Sequence, residues 1–225
     1  MRKFFLYILC TMIVSYFDIK YNLKSILLFT FFVISILYFN DVKNYFKTPI
    51  SKPNSKFVGY ILLFCLSFTV LFSLLPSLIF SDYKIDTIEN FTNYDILNVF
   101  LFTPILEELI FRGSLFAILI KVESTQKSIF LSSLGFTLAH YLSDTSFFTV
   151  FILGSFLTYV YLKTKNIFLC IIVHALNNFL ALVFSPFLIS MLKIKETSFY
   201  MLEFIVISSL IMAFSFFKIY KQSKN

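Results

Sequence analysis

The stretch that decides the fold lies at residues 101–113 and reads LFTPILEELIFRG. Glu107, Glu108 and Arg112 stand here inside an apolar run that extends over about 96–120. A charged residue at the centre of a membrane helix costs roughly 2.5–3.5 kcal/mol, whereas Leu, Ile or Phe each repay about 0.3–0.6 kcal/mol. We therefore expect these three side chains to face the interior of a helix bundle or a water-filled cavity, where such residues are usually functional.

The composition around this stretch predicts lipid as the main solvent of the chain. Of 225 residues, 59% are hydrophobic and 14% are charged, and the mean hydropathy is +0.87. A soluble domain has about 45–50% apolar and about 25% charged residues. The polar surface is too small to coat a water-soluble globule, so we predict an all-α fold, a polytopic transmembrane helix bundle.

The number of spans follows from the apolar runs, since a crossing takes about 20 residues. The runs lie at roughly 4–17, 25–39, 57–80, 96–120, 128–142, 147–162, 166–188 and 199–217. Four of them are short, so we expect about eight spans, with six or seven as the alternatives. The first run has no small-residue cleavage site before Asp18 and is interpreted as a retained span rather than a signal peptide.

The chemically unusual residues divide the chain into three parts. Residues 1–95 hold N-terminal spans of unknown role, with no acid, arginine or histidine inside an apolar run. Residues 96–188 form the predicted functional core. Residues 189–225 contain a last span and a basic tail.

Basic residues predict the orientation and the partners. With a cytoplasmic N-terminus and eight spans, the inward segments carry 13 Lys or Arg residues and the outward segments carry 5. This asymmetry is what cytoplasmic loops of membrane proteins show. We expect a cell-membrane protein with both termini in the cytoplasm. We expect the basic residues behind the net charge of +7 to contact anionic lipid headgroups rather than nucleic acid.

The spacing of the charges separates the two glutamates. Glu108 and Arg112 are four residues apart, share a helix face and can pair. Glu107 points about 100° away from Glu108, which leaves a second carboxylate for chemistry. A salt bridge that only holds helices together explains Glu108 with Arg112, but it does not explain Glu107. Pro104 has no N–H for the carbonyl of Phe100, so we expect a local opening just before the glutamates.

Both histidines of the chain lie in apolar runs, His140 in 128–142 and His174 in 166–188. Phe136 shares a helical face with His140, as Asn178 does with His174. A neutral histidine can accept a proton, donate to an oxyanion or bind a metal. The topology places Glu107 near mid-membrane but His140 only two to six residues from the outer edge. A tilted helix, a different start of the run 128–142 or a funnel-shaped site would reconcile these depths.

Together these elements resemble the type II CAAX prenyl proteases, also called the CPBP family of intramembrane proteases. The family's pattern is EExxxR, then FxxxH, then HxxxN or HxxxD, on three successive helices. The matching positions are Glu107-Glu108 with Arg112, Phe136 with His140, and His174 with Asn178. The resemblance covers about 96–188 and implies an intramembrane protease core.

The resemblance also implies a role for each residue. Glu107 would activate a water together with His140, and His174 with Asn178 would stabilise the oxyanion formed at a peptide carbonyl. Glu108 and Arg112 would support the site. A zinc ion held by Glu107, His140 and His174 is the alternative. We favour the reading that assigns no metal and needs no cofactor, because no HExxH motif is present.

The family implies a peptide or membrane-protein substrate without naming it. Eukaryotic members remove the last three residues of prenylated proteins, whereas bacterial relatives act in bacteriocin self-immunity or peptide processing. The Phe-, Lys-, Ile- and Asn-rich composition suggests an AT-rich bacterial gene. Two other functions stay open: a non-catalytic membrane immunity or scaffold protein, and an ion-coupled transporter, against which the lack of an internal repeat argues.

Overall fold

A computed structural model describes residues 53–79, 91–140, 146–194 and 198–222, together with Cys10 and Ile13. Every regular element within these residues is helical, which confirms the predicted all-α class. The predicted spans 4–17 and 25–39 lie outside the described residues except for Cys10 and Ile13. The total of about eight spans therefore stays a prediction.

The described chain is a series of helices interrupted by three π-helical segments. In chain order the helices are α1 (Ser55–Ile79), α2 (Asn93–Leu97), α3 (Thr103–Glu108), α4 (Phe116–Val122), α5 (Thr125–Ala139), α6 (Phe147–Thr164), α7 (Ile167–Phe179), α8 (Ser185–Ile194) and α9 (Ser198–Gln222). The π-helical segments are π1 (Asn98–Phe102), π2 (Leu109–Leu115) and π3 (Leu180–Phe184).

Four helices are long and apolar enough to cross a membrane: Ser55–Ile79, Phe147–Thr164, Ile167–Leu192 and Tyr200–Lys221. They correspond to four of the predicted runs, and they make this a multi-pass membrane protein. Two other predicted runs do not meet the same requirement. The run 96–120 carries three buried or half-buried charges, and α5 has 15 residues, short of the about 20 that a full crossing takes.

Local signals explain several helix ends. Thr92 and Asp95 form a capping box at the start of α2, in which each side chain accepts the other residue's backbone N–H. Ser124 caps α5 by accepting from the backbone N–H of Lys127. Lys165 ends α6 in the left-handed conformation, with a φ of 51°, and its N–H donates to the carbonyl of Tyr161.

The helices group into two compact units. Among the described residues, the first unit contains Leu101–Ile171, and the second contains Pro53–Phe100 and the region from Ile172 onward. The domain boundaries predicted at residues 95 and 188 were placed by sequence motifs and not by the compactness of the fold. They stay a prediction.

The first unit is built on α5 and α6, which pack closely against each other. Its apolar core consists of Ile110, Phe111, Leu115, Ile118, Leu119, Phe136 and Val150. Gly154 on α6 allows the close approach, because a Cβ at this position would lie 3.0 Å from Cδ1 of Phe136 and 3.5 Å from Cα of Ser133. A glycine inside an apolar helix thus sets the distance between these two helices.

The second unit is built on α1 and α9. Its core contains Leu71, Leu74, Ile189, Leu192, Met201 and Ile205. Edge-on contact between the rings of Tyr60 and Phe214, 6.1 Å between centroids, extends the packing along both helices. The opposite face of α9 exposes Leu202, Val206 and Leu210, as expected of a surface that meets lipid.

Replacing Gly154 tests the packing of α5 against α6. Alanine in a helix is favoured over glycine by about 0.5–1 kcal/mol, but overpacking a tight core costs about 1–3 kcal/mol. Because Phe136 is 1% exposed and cannot move aside, we expect Gly154→Ala to lower the unfolding temperature in detergent. The buried thiols of Cys65 and Cys170 allow unfolding to be followed with a thiol-reactive fluorophore.

Gly59→Ala is the matched control, because a Cβ at Gly59 meets nothing within 4 Å. We expect this variant to unfold at or above the wild-type temperature. Equal behaviour of the two variants would contradict the close approach at Gly154.

Candidate active site

The two glutamates lie at the C-terminal end of α3, between π1 and π2. The opening that Pro104 predicts is therefore present as π1, which ends two residues before the proline. The π-helical turn after the glutamates brings Ser114 Oγ within 3.2 Å of the carbonyl of Leu109, to which it donates. Single π-helical turns inside helices often occur at functional sites, where they redirect neighbouring side chains.

The predicted pairing of Glu108 with Arg112 is confirmed. Arg112 Nη1 donates to Glu108 Oε1 at 2.8 Å, and both side chains are fully buried. Arg112 Nη2 also donates to the carbonyl of Gly154 on α6, at 3.0 Å. The arginine thereby connects π2 to α6 through a charge that the adjacent glutamate neutralises.

Phe136 is the packing centre beneath the histidine. Its ring centroid lies 4.5 Å from Cζ of Arg112, and it meets the ring of Phe111 edge-on at 5.2 Å. The same ring lies 4.6 Å from the imidazole of His140, between centroids. The phenylalanine of the FxxxH motif thus makes contact with both the arginine and the histidine, and a smaller side chain would loosen both.

His140 stands at the C-terminal cap of α5, which ends at Ala139 rather than at residue 142 as the apolar run predicts. Its Nδ1 lies 2.9 Å from the carbonyl of Phe136. A carbonyl can only accept, so Nδ1 carries the hydrogen, and in the neutral ring Nε2 keeps a lone pair. The backbone of α5 therefore selects the tautomer of His140.

The lone pair of Nε2 is directed at the second glutamate. Nε2 of His140 and Oε1 of Glu107 are 3.6 Å apart, and their side chains are 23% and 12% exposed. This contact places both residues at one depth. The helix that ends next to His140 starts at Thr125 rather than at residue 128, where the predicted run begins.

His174 and Asn178 lie one turn apart on α7, in the second unit. His174 is 3% exposed. Asn178 Nδ2 donates to the carbonyl of Val99 in π1, at 3.0 Å. The structure thus brings Glu107, Glu108, Arg112 and His140 together in the first unit, while the joining of all six residues into one site stays a prediction.

A metal ion would need three ligands close together. Within each unit, the described residues contain no group of three His, Cys, Asp or Glu side chains that could hold one. The zinc alternative takes Glu107 and His140 from the first unit and His174 from the second, so its ligand set also stays a prediction.

Two features of the site escaped sequence reasoning. The carbonyl of Gly154 accepts hydrogen bonds from both Arg112 and Thr158 Oγ1, the latter at 2.8 Å. Ser132 Oγ donates to the carbonyl of Phe111 at 3.2 Å, which ties α5 to π2. The sequence signal for the Gly154 contacts was a glycine in the middle of the apolar run 147–162. Ser132 gave no such signal, because nothing in the sequence distinguishes it from other serines.

Removing one charge of the buried pair tests its contribution. Glu108→Gln keeps the shape but leaves Arg112 as an uncompensated buried cation, which costs about 3–5 kcal/mol in such sites. We expect a strong drop in unfolding temperature, largely restored in the double variant Glu108→Gln/Arg112→Met. In the double variant, the carbonyl of Gly154 still accepts the hydrogen bond from Thr158. A single variant as stable as wild type would show that the pair contributes nothing to the fold.

Comparison with known proteins bears on the same residues. No curated protein and no solved structure matches the chain. Residues 89–180 match the model of a family described as Type II CAAX prenyl endopeptidase Rce1-like. The matched segment contains all six predicted site residues, and it confirms the resemblance inferred from the motifs. Over this segment, less than half of its length, the chain is similar to the Rce1-like type II CAAX prenyl endopeptidases.

Proposed function

We propose that this protein is an intramembrane endopeptidase that hydrolyses a peptide bond of a membrane-associated protein or peptide. The match of residues 89–180 to the Rce1-like family supports a CAAX-type protease, a hydrolase. The observation that supports the proposal most is the approach of Nε2 of His140 to Oε1 of Glu107, at 3.6 Å. That separation is long for a direct hydrogen bond, but one water can contact both atoms.

In the proposed reaction, Glu107 and His140 activate the water. Glu107 takes a proton from it while the lone pair of His140 Nε2 holds it by accepting its other hydrogen. The resulting hydroxide attacks the carbonyl carbon of the scissile peptide, and the proton then passes to the leaving amine as the C–N bond breaks. General acid–base catalysis of this kind contributes typically about 10²–10⁴-fold in rate.

The oxyanion of the tetrahedral intermediate is assigned to His174 and Asn178. Donors aimed at a developing oxyanion lower the barrier by about 3–4 kcal/mol. Within the second unit, Asn178 already donates to Val99 of π1, so its second amide hydrogen is the one assigned to the oxyanion. Glu108 and Arg112 act through the packing around Phe136 and do not touch the substrate in this mechanism.

The proposed setting is a cell membrane, with both termini in the cytoplasm and a peptide or membrane protein as substrate. The similarity to CAAX prenyl endopeptidases makes a prenylated peptide ending in a CAAX sequence the first probe. A role in bacteriocin self-immunity or peptide processing would use the same reaction on another substrate.

Replacing the proposed base is the most direct test. We expect Glu107→Gln to reduce hydrolysis of a farnesylated CAAX peptide at least about 10²-fold, because an amide cannot take the proton from water. The unfolding temperature should stay near wild type, since Glu107 is not part of the buried pair with Arg112. Peptide hydrolysis followed by mass spectrometry, with detergent-purified protein, measures the effect.

Glu123→Gln is the matched control for this variant. Glu123 pairs with Lys127 on the surface, where the lysine is 51% exposed, so its loss should leave both activity and stability unchanged. If Glu107→Gln cleaves the peptide as fast as Glu123→Gln, the catalytic proposal is wrong. A non-catalytic immunity or scaffold protein would keep its phenotype in both variants.

Chelation distinguishes the glutamate reaction from the zinc alternative. We expect wild-type hydrolysis to persist after treatment with a strong zinc chelator, because Glu107 and His140 activate water without a metal. Loss of activity on chelation, with recovery when zinc alone is returned, would favour the zinc site of Glu107, His140 and His174.

A further inference from the structure

The most informative polar group outside the assigned site is the side chain of Asn177. It lies three residues after His174 and therefore on the same face of α7. Val173, His174 and Asn177 are 2%, 3% and 7% exposed, whereas Ile172 on the opposite face is 64% exposed. Asn177 belongs to the buried stripe of the helix, and Asn178 stands at its half-buried edge.

The two adjacent asparagines differ in their hydrogen bonds. Asn178 donates to the carbonyl of Val99. Asn177 Oδ1 is buried and has no hydrogen-bond partner among the residues that the structure describes. Buried side-chain oxygens almost always have a partner, because the loss of hydration is otherwise uncompensated. An unmatched amide oxygen on the stripe that carries His174 therefore points to a ligand with an N–H group.

We propose that Asn177 Oδ1 accepts a hydrogen bond from a backbone N–H of the peptide substrate. This inference rests on the proposed function, which makes an extended peptide the ligand. An extended peptide that leaves water needs an acceptor for each buried N–H, and a neutral amide oxygen supplies one without adding charge. The oxyanion is not the partner, since an oxyanion and Oδ1 both accept.

Asn177 is thus a positioning residue for the substrate, distinct from the residues assigned to the reaction. His174 and Asn178 supply donors to the carbonyl oxygen, while Asn177 supplies an acceptor to a nearby N–H. Donors and an acceptor on one helix would hold a peptide bond in a single orientation.

The test is a mutant cycle between Asn177 and single N–H groups of a peptide. The probe is a fluorescent farnesylated peptide ending in a CAAX sequence, together with a series methylated at one backbone nitrogen at a time. Dissociation constants are measured on full-length protein in detergent, in the Glu107→Gln background, so that the peptide is not cleaved. The second substitution is Asn177→Leu, which keeps the branched shape and removes the polar group.

We expect one N-methyl position to weaken binding by about tenfold, as does Asn177→Leu with the parent peptide. At that position the two changes should not add, because both remove the same hydrogen bond. Asn177→Asp retains an acceptor and should retain sensitivity to the same N-methyl group, which also covers the case in which Asn177→Leu fails to fold. Asn178→Leu is the control: it should retain the roughly tenfold sensitivity to the same N-methyl group, so that its effect and that of the methyl group add.

Additive effects at every position would overturn the assignment, and so would an unchanged dissociation constant in Asn177→Leu or a failure of every probe peptide to bind. Cleavage by the protein with Glu107 intact is scored separately. Coupling without cleavage would support the contact of Asn177 and reject the proposed hydrolysis. Cleavage without coupling would support hydrolysis and reject the contact.

Discussion

The ion pair of Glu108 with Arg112 is the constraint on which the first unit depends. A fully buried guanidinium is tolerated because Glu108 neutralises it and the carbonyl of Gly154 accepts a second hydrogen bond. Two helices and one π-helical segment must therefore keep fixed distances for the charge to stay satisfied. The desolvation cost of such a pair is high, so it contributes more to defining one arrangement than to net stability.

The position of the histidine follows from this constraint. Phe136 packs under the guanidinium and beside the imidazole, and its own carbonyl accepts from His140 Nδ1. The contacts that satisfy the arginine thus also orient His140 Nε2 towards Glu107. A charge that takes no part in the proposed reaction helps to position the two groups that do.

The interrupted helices around the glutamates and after Asn178 have a related consequence. The π-helical segments π1, π2 and π3 adjoin the motif-bearing helices α3 and α7. A π-helical turn shifts the following side chains around the helix axis and leaves backbone carbonyls for other donors. Val99 uses this freedom to accept from Asn178. Within the second unit, the π-helical backbone at Val99 and the HxxxN motif of α7 are therefore joined by a hydrogen bond.

The sequence by itself determined that most of the chain is surrounded by lipid rather than water. It also determined the helical class, most of the described spans and the pairing of Glu108 with Arg112. These follow from local rules: hydropathy over about 20 residues, and the i,i+4 spacing of a helix. The end of α5 at Ala139, the approach of His140 to Glu107 and the part played by Gly154 were decided by tertiary structure. They depend on distances between helices that are far apart in the chain. These distances are set by the missing Cβ of Gly154 on α6 and by its backbone carbonyl, which no sequence motif marks as a hydrogen-bond acceptor. Local periodicity carries no information about such distances.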